Sequence, residues 1–148
     1  MMRKTLLRVM GGLNTWIYRS SKGRLLGRFP SGAPVCLLTT IGRRSGQPRT
    51  VPLLYLQDGA DYVVVASQGG APEHPGWFHN LQVQPRAEIE LGTRRLAVIA
   101  QQVSEAERNA LWPRLVAIYP PYETYQRRTT RRIPVLRLTP VPVGNATP

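Results

Sequence analysis

Two apolar runs, Val35-Cys36-Leu37-Leu38 and Val51 to Leu56, flank the basic stretch TTIGRRSGQPR. Successive apolar positions of strand length, interrupted by Gly42 and then by Gly46-Gln47-Pro48, read as a strand, a turn and a returning strand. This pairing constrains the chain most, because an apolar antiparallel pair must find further strands or helices to cover it. Its turn carries Arg43, Arg44, Ser45 and Arg49 and no acidic side chain. Such a loop suits a multiply charged anion, since a guanidinium pairs with phosphate or carboxylate through two N–H groups at once. A solvated basic hairpin loop would use the same residues, so the loop alone names no ligand.

The rest of the chain supplies that cover. Leu53–Leu56 and Tyr62–Ala66 form a hairpin across the turn 57–61, and residues 67–75 are a Gly- and Pro-rich loop. Gly69-Gly70 in that loop would let a backbone come close to a ligand. Trp77, Phe78, Asn80 and Leu81 predict a short helix from Gly76 to Gln84, stopped by Pro85. Ala87–Leu91 and Leu96–Val103 make a second hairpin over residues 92–95. Ser104 and Glu107 form a capping box for a helix with Leu111, Trp112, Leu115 and Ile118 on its apolar side, ending at Pro120-Pro121. Tyr122 and Tyr125 share one face of a helical turn, with Arg127, Arg128, Arg131 and Arg132 around them. Ile133–Leu138 is the last strand. The expected fold class is mainly β (α+β), one β-rich domain over residues 35–140, with a helix and basic connector at 1–34 and a short tail at 141–148.

The net charge is +12, and the first acidic residue is Asp58. A basic N-terminal third implies an anionic partner: nucleic acid, a lipid surface or a polyanionic small molecule. Residues 3–18 place Leu6, Val9, Met10, Leu13, Trp16 and Ile17 at helical spacing, with Arg3, Lys4, Arg8 and Asn14 between them. This amphipathic helix either docks on the domain or lies on an anionic membrane surface. Arg8 makes the apolar stretch too short and too charged to span a bilayer. The expected location is cytoplasmic, peripheral on the inner face of the cell membrane if the helix binds lipid. Cys36 is the single cysteine, which excludes a disulfide framework and a zinc site and fits a reducing compartment.

Walker and GxGxxG loops are absent, as is any Ser-His-Asp logic, and His74 and His79 have no matching ligands for a metal. No RNP-type motif accompanies the charge, so no nucleic acid is expected. What remains is an arginine loop, a Gly-Gly loop, Trp77 and a tyrosine cluster. That inventory binds and orients a flat anionic cofactor better than it performs chemistry unaided.

The segments LLTTIGRRSGQPRTVPL, VVVASQGGAPEHPGWFHNL and YPPYETYQRRTTRRIPV, in this order, resemble the deazaflavin-dependent nitroreductase family. The resemblance covers roughly residues 35–138. It implies an FMN-binding-like split β-barrel, coenzyme F420 as cofactor (FMN as the alternative), and hydride transfer to a small-molecule acceptor, a quinone or nitro compound. The loop Arg43, Arg44, Ser45, Gly46, Gln47, Pro48 and Arg49 would take the coenzyme's phosphate and tail carboxylates. Leu37, Leu38 and Thr39, with Val65, Ala66, Ser67 and Gln68, would line the deazaflavin ring, and Trp77 and Asn80 join the cofactor set. Tyr122, Tyr125 and Ser67 are the catalytic candidates implied, with Tyr122 also beside the ring. Tyr119 and Tyr125 would face the substrate. Leu54 stands where some members have an aromatic residue and Gly76 where some have methionine, which makes both positions bear on the acceptor. A coenzyme carrier without turnover would carry the same binding motifs.

Overall fold

The computed structural model describes residues 33–142. The helix expected at 3–18, the connector to residue 32 and the tail from 143 lie outside them. Within them, β1 (Val35–Ile41) pairs antiparallel with β2 (Pro48–Leu54) from Val35↔Leu54 to Ile41↔Pro48, as the sequence predicts. There follow β3 (Leu56–Asp58), β4 (Asp61–Val65), a 3-10 turn at Gln68–Gly70, and α1 (Gly76–Val83). β5 (Arg86–Leu91), β6 (Arg94–Gln102), α2 (Glu105–Ile118), α3 (Pro121–Arg128) and β7 (Val135–Pro140) complete the order.

Seven antiparallel strands form one sheet in the order β2-β1-β5-β6-β7-β4-β3. β2 and β3 stand at opposite ends of that order, yet only Tyr55 joins them. One residue cannot cross a flat sheet of seven strands spaced about 4.8 Å apart. The sheet must therefore curl until its two edges meet, and the result is the expected split barrel.

The curl creates two covered faces. Cys36, Leu38, Val64, Ile89 and Leu138 point into the barrel with Trp77, Phe78 and Leu81 of α1. Val35, Leu37, Val63, Val65 and Val135 point outward, beneath Leu111 and Leu115 of α2 and Tyr122 of α3. Burial on both faces explains why VCLL and YVVV read as continuous apolar runs rather than alternating ones. Each large aliphatic side chain so covered contributes about 1.5–3 kcal/mol.

Several boundaries move. The strand expected at Leu53–Leu56 divides at Tyr55: Leu53 and Leu54 end β2, and the first hairpin pairs Leu56–Asp58 with β4 over Gly59-Ala60. The second turn is Gly92-Thr93, and each turn opens on a glycine at positive φ (both +63°). The last strand starts at Val135 rather than Ile133, because Pro134 lacks the N–H that a ladder needs. Ser104 Oγ accepts from Glu107 N at 3.1 Å, whereas the Glu107 carboxylate reaches Arg137 at 3.4 Å, so half of the capping box forms. Gly70 does meet a close backbone, but it is that of α3: a Cβ there would lie 2.7 Å from Tyr125 O.

Candidate active site

A cavity of ≈ 140 Å3 opens where β2, the end of β4 and the α2–α3 corner converge. Pro52, Leu53 and Leu54 form one wall, Val65 and Ser67 a second, and Tyr119, Tyr122 and Tyr125 a third. Two prolines build the tyrosine wall. Pro120-Pro121 ends α2 after Ile118, and Pro121 then opens α3 at a position where a missing N–H costs nothing. The reversal stacks Tyr119 against Tyr122 edge-on at 4.9 Å between ring centroids, and Tyr125 lies 6.1 Å from Tyr119.

The Tyr119 and Tyr125 hydroxyls are 3.0 Å apart. Burial, with the Tyr125 hydrogen bond adding, pushes the Tyr119 pKa up to about 12. Tyr122 is raised further, chiefly by burial. The Tyr119 and Tyr122 hydroxyls therefore stay protonated near neutral pH, able to donate to a developing oxyanion and unsuited to act as bases.

α3 is pinned from both sides. Gln126 Oε1 accepts from Ile133 N at 3.0 Å and from the buried Arg108 Nη2 at 2.9 Å, while Arg108 lies 4.3 Å over the Trp112 ring. Gln126 Nε2 donates to Arg131 O at 2.9 Å. Arg131 in turn donates to Ala66 O, Ser67 O and Ala71 O at 3.1, 2.7 and 2.8 Å. The arginines after the tyrosines thus do not form a common basic rim: Arg131 is a backbone clamp, and Arg132 pairs with Glu105.

The arginine loop lies at the other end of the β1–β2 pair. Three of its backbone donors are used internally: Gly42 N to Gln47 O, Gly46 N to Gly42 O, and Gln47 N to Ser45 Oγ. Arg43 is also committed, its N and Nη1 both donating to Asn80 Oδ1 at 3.1 Å and Nη1 reaching Gly76 O at 3.4 Å. Asn80 Nδ2 passes this on to Thr40 Oγ1 at 3.0 Å. Arg44 and Arg49 remain exposed and, among the described residues, pair with no carboxylate; Arg49 Nη2 lies 3.4 Å from Ser45 Oγ.

The expected site residues thus divide in two. Leu54, Val65, Ser67, Tyr119, Tyr122 and Tyr125 meet at the cavity, and Pro52 and Leu53 join them. Gly76 and Asn80 contact Arg43 at the loop end, and Trp77 packs inside the barrel. Leu37 and Thr39 connect the two ends along the outer face of β1, opposite Pro52 and Thr50, where the Thr39 and Thr50 hydroxyls are 2.8 Å apart. Pro52 is signalled by alternation, since it shares a β2 face with Leu54; Arg131 and Arg108 carry no local signal.

The profile of the F420H(2)-dependent quinone reductase family matches residues 10–140. The chain belongs to that family. An F420H(2)-dependent quinone reductase of Mycobacterium tuberculosis is 42% identical over 132 residues, covering 86% of this chain and 87% of that one. The solved structure of an F420-H2-dependent reductase (FDR-A) superposes with a TM-score of 0.66 at 39% identity, covering 71% of this chain and 93% of its own. A solved chain described as a domain-swapped dimer gives the same TM-score at 34% identity, covering 84% and 97%. Membership makes this quinone reductase relative an F420-dependent oxidoreductase of split-barrel fold, with coenzyme F420 as its cofactor. The acceptor class narrows to quinones, and no helix among the described residues is long and apolar enough to cross a membrane.

Proposed function

We propose that this quinone reductase seats the coenzyme along β1 and β2, its ring at the tyrosine cavity and its phosphate and carboxylates at Arg44 and Arg49. One observation carries the reading: an apolar, hydroxyl-bearing cavity and an exposed guanidinium pair, Arg44 and Arg49, lie at opposite ends of one strand pair. Pro48 and Pro52 are four residues apart on β2, which corresponds to about 13 Å of strand. A planar ring with an anionic side chain fits that layout. When bound, the reduced coenzyme supplies the hydride.

The protein's own contribution is placement and dryness. Pro52, Leu54 and Val65 exclude water from the transfer, and Leu37 and Thr39 support the ring from β1. Ser67 and the Tyr119–Tyr125 pair donate hydrogen bonds to the quinone oxygen as negative charge gathers on it. Tyr122, almost fully buried, packs the ring's edge. Ala66, Gln68 and Leu38 hold the backbone around these groups, Ser45, Gly46, Gln47 and Pro48 shape the anion loop, and Arg43, Gly76 and Asn80 brace it. Residues 3–18 carry the companion proposal of attachment to an anionic membrane, where lipophilic quinones reside.

The test follows oxidation of the reduced coenzyme by its absorbance with a soluble quinone, a nitro compound or no acceptor present. Quinone-dependent turnover is expected. A protein that binds the coenzyme but oxidises it with no acceptor class acts as a carrier instead. Sedimentation with anionic vesicles, before and after removal of residues 1–20, tests the membrane part.

A further inference from the structure

Arg131 makes an unusual set of contacts for a cation. Its Nε donates to Ala71 O, its Nη2 to Ser67 O, and its Nη1 to both Ala66 O and His74 Nδ1, the last at 2.9 Å. No carboxylate pairs with it among the described residues. All four acceptors belong to residues 66–74, the segment that leaves β4 and presents Ser67 to the cavity. Gly70 N and Ala71 N close a short turn on Ser67 O and Gln68 O, but its backbone is strained: Gln68 sits at φ +44°, followed by Gly69 at +64° and Gly70 at +80°. A left-handed turn at a non-glycine residue needs its surroundings to impose it. Arg131's own carbonyl is fastened by Gln126 of α3, the helix that carries Tyr122 and Tyr125.

We propose that Arg131 is a positioning residue for quinone reduction, holding Ser67 and the tyrosine helix in register across the cavity through its bonds to Ala66, Ser67 and Gln126. The proposal rests on the function given above. His74 tunes it. The Arg131 guanidinium can only donate, so His74 must accept at Nδ1 and carry its proton on Nε2. A second proton would remove the acceptor and set an imidazolium beside Arg131, with the His79 ring of α1 5.8 Å away. Burial first, then Arg131 and His79, hold the His74 pKa below its ordinary value. The clamp is therefore complete near neutral pH and loosens as pH falls below the usual histidine range.

The experiment compares wild type with Arg131→Lys, Arg131→Ala and His74→Gln. Lysine keeps the charge but cannot reach four acceptors from one planar fork. Both Arg131 variants should lose roughly 10- to 100-fold in kcat for a soluble quinone, the scale of a small misplacement of reacting groups. Coenzyme Kd should stay within about threefold, because the anion loop is remote, and amides of residues 66–74 should exchange faster. Guanidinium ion, added well below denaturing concentration, should restore part of the Arg131→Ala rate. Glutamine at position 74 still accepts but does not titrate, so the rate of His74→Gln relative to wild type should rise as the pH is lowered. Unchanged kcat and exchange in the Arg131 variants, or parallel losses of kcat and coenzyme affinity without rescue, would overturn the positioning role. A pH-independent ratio for His74→Gln would overturn its part. Arg131→Lys decides if Arg131→Ala does not fold. Absence of wild-type turnover counts against the proposed function instead, and exchange at 66–74 then still decides whether the clamp exists.

Discussion

Gly70 is where the fold and the cavity depend on one hydrogen atom. Its φ of +80° is costly for any residue with a side chain, about 1–2 kcal/mol. A methyl group would also lie 2.7 Å from Tyr125 O, 3.0 Å from Tyr125 Cα and 3.1 Å from Arg128 Cβ. Two of those atoms are helix backbone, so the strain cannot be relieved by a rotamer, and overpacking adds about 1–3 kcal/mol. Gly70→Ala should destabilise the protein by about 2–5 kcal/mol in urea denaturation and shift α3 away from the cavity, lowering quinone turnover. Gly69→Ala is the control. Its φ is +64° and nothing lies within 4 Å of its Cβ, so it should show only the conformational part, about 1–2 kcal/mol, with turnover retained. Equal destabilisation by the two substitutions would mean that α3 does not rest on Gly70.

Arg44→Ala and Arg49→Ala should each weaken coenzyme binding by about 1.5–3 kcal/mol, the scale of a charge-assisted hydrogen bond, with less effect at high salt. Unchanged titrations for both would remove the loop from the site. Arg43→Ala should instead lower stability by about 1–3 kcal/mol, since it strips Asn80 Oδ1 of its side-chain donor; a normal melt would refute this. Tyr125→Phe keeps the ring and breaks the 3.0 Å hydroxyl pair, so quinone turnover should fall while coenzyme affinity holds, and steady-state kinetics beside a binding titration separate the two. Hydrogen bonds from Arg114 and then Arg137 hold the Asp58 carboxyl below its ordinary value, so its stabilisation is present above that value and is lost as pH falls through the lowered one. Asp58→Asn should flatten that part of the acid stability curve, read by chemical denaturation at several pH values.

The legible parts of the chain are those whose causes are local. The β1–β2 pair, the second hairpin, the glycine turn of the first and the Ser104 cap follow from apolar runs, turn glycines and an N-cap hydroxyl within a few residues of one another. The break at Tyr55 inside the run Val51–Leu56 carries no local signal. Of the tyrosine wall, Pro120-Pro121 marks the corner and the i, i+3 spacing puts Tyr122 and Tyr125 on one face, whereas Tyr119 is implied only by the family resemblance. What escaped is long-range. Arg131 meets Ala66 across 65 positions, and nothing at either end marks the meeting. The loop arginines show a further limit: composition counts three guanidiniums alike, but Arg43 is drawn into bracing Asn80 while Arg44 and Arg49 stay outward.

Among the described strands β7 comes last in the sequence, yet it stands between β6 and β4. Until it docks, the β3–β4 hairpin has no ladder to the other strands, although Tyr55 ties it to them covalently. During synthesis at about 5–20 residues per second, the tyrosine wall and the arginine loop leave the ribosome while this central slot is still empty. The emerging chain then holds two unpaired strand edges facing one gap, a template that another nascent copy could fill. A ribosome that stops before Val135 yields a chain with every catalytic candidate present and no closed barrel to hold them.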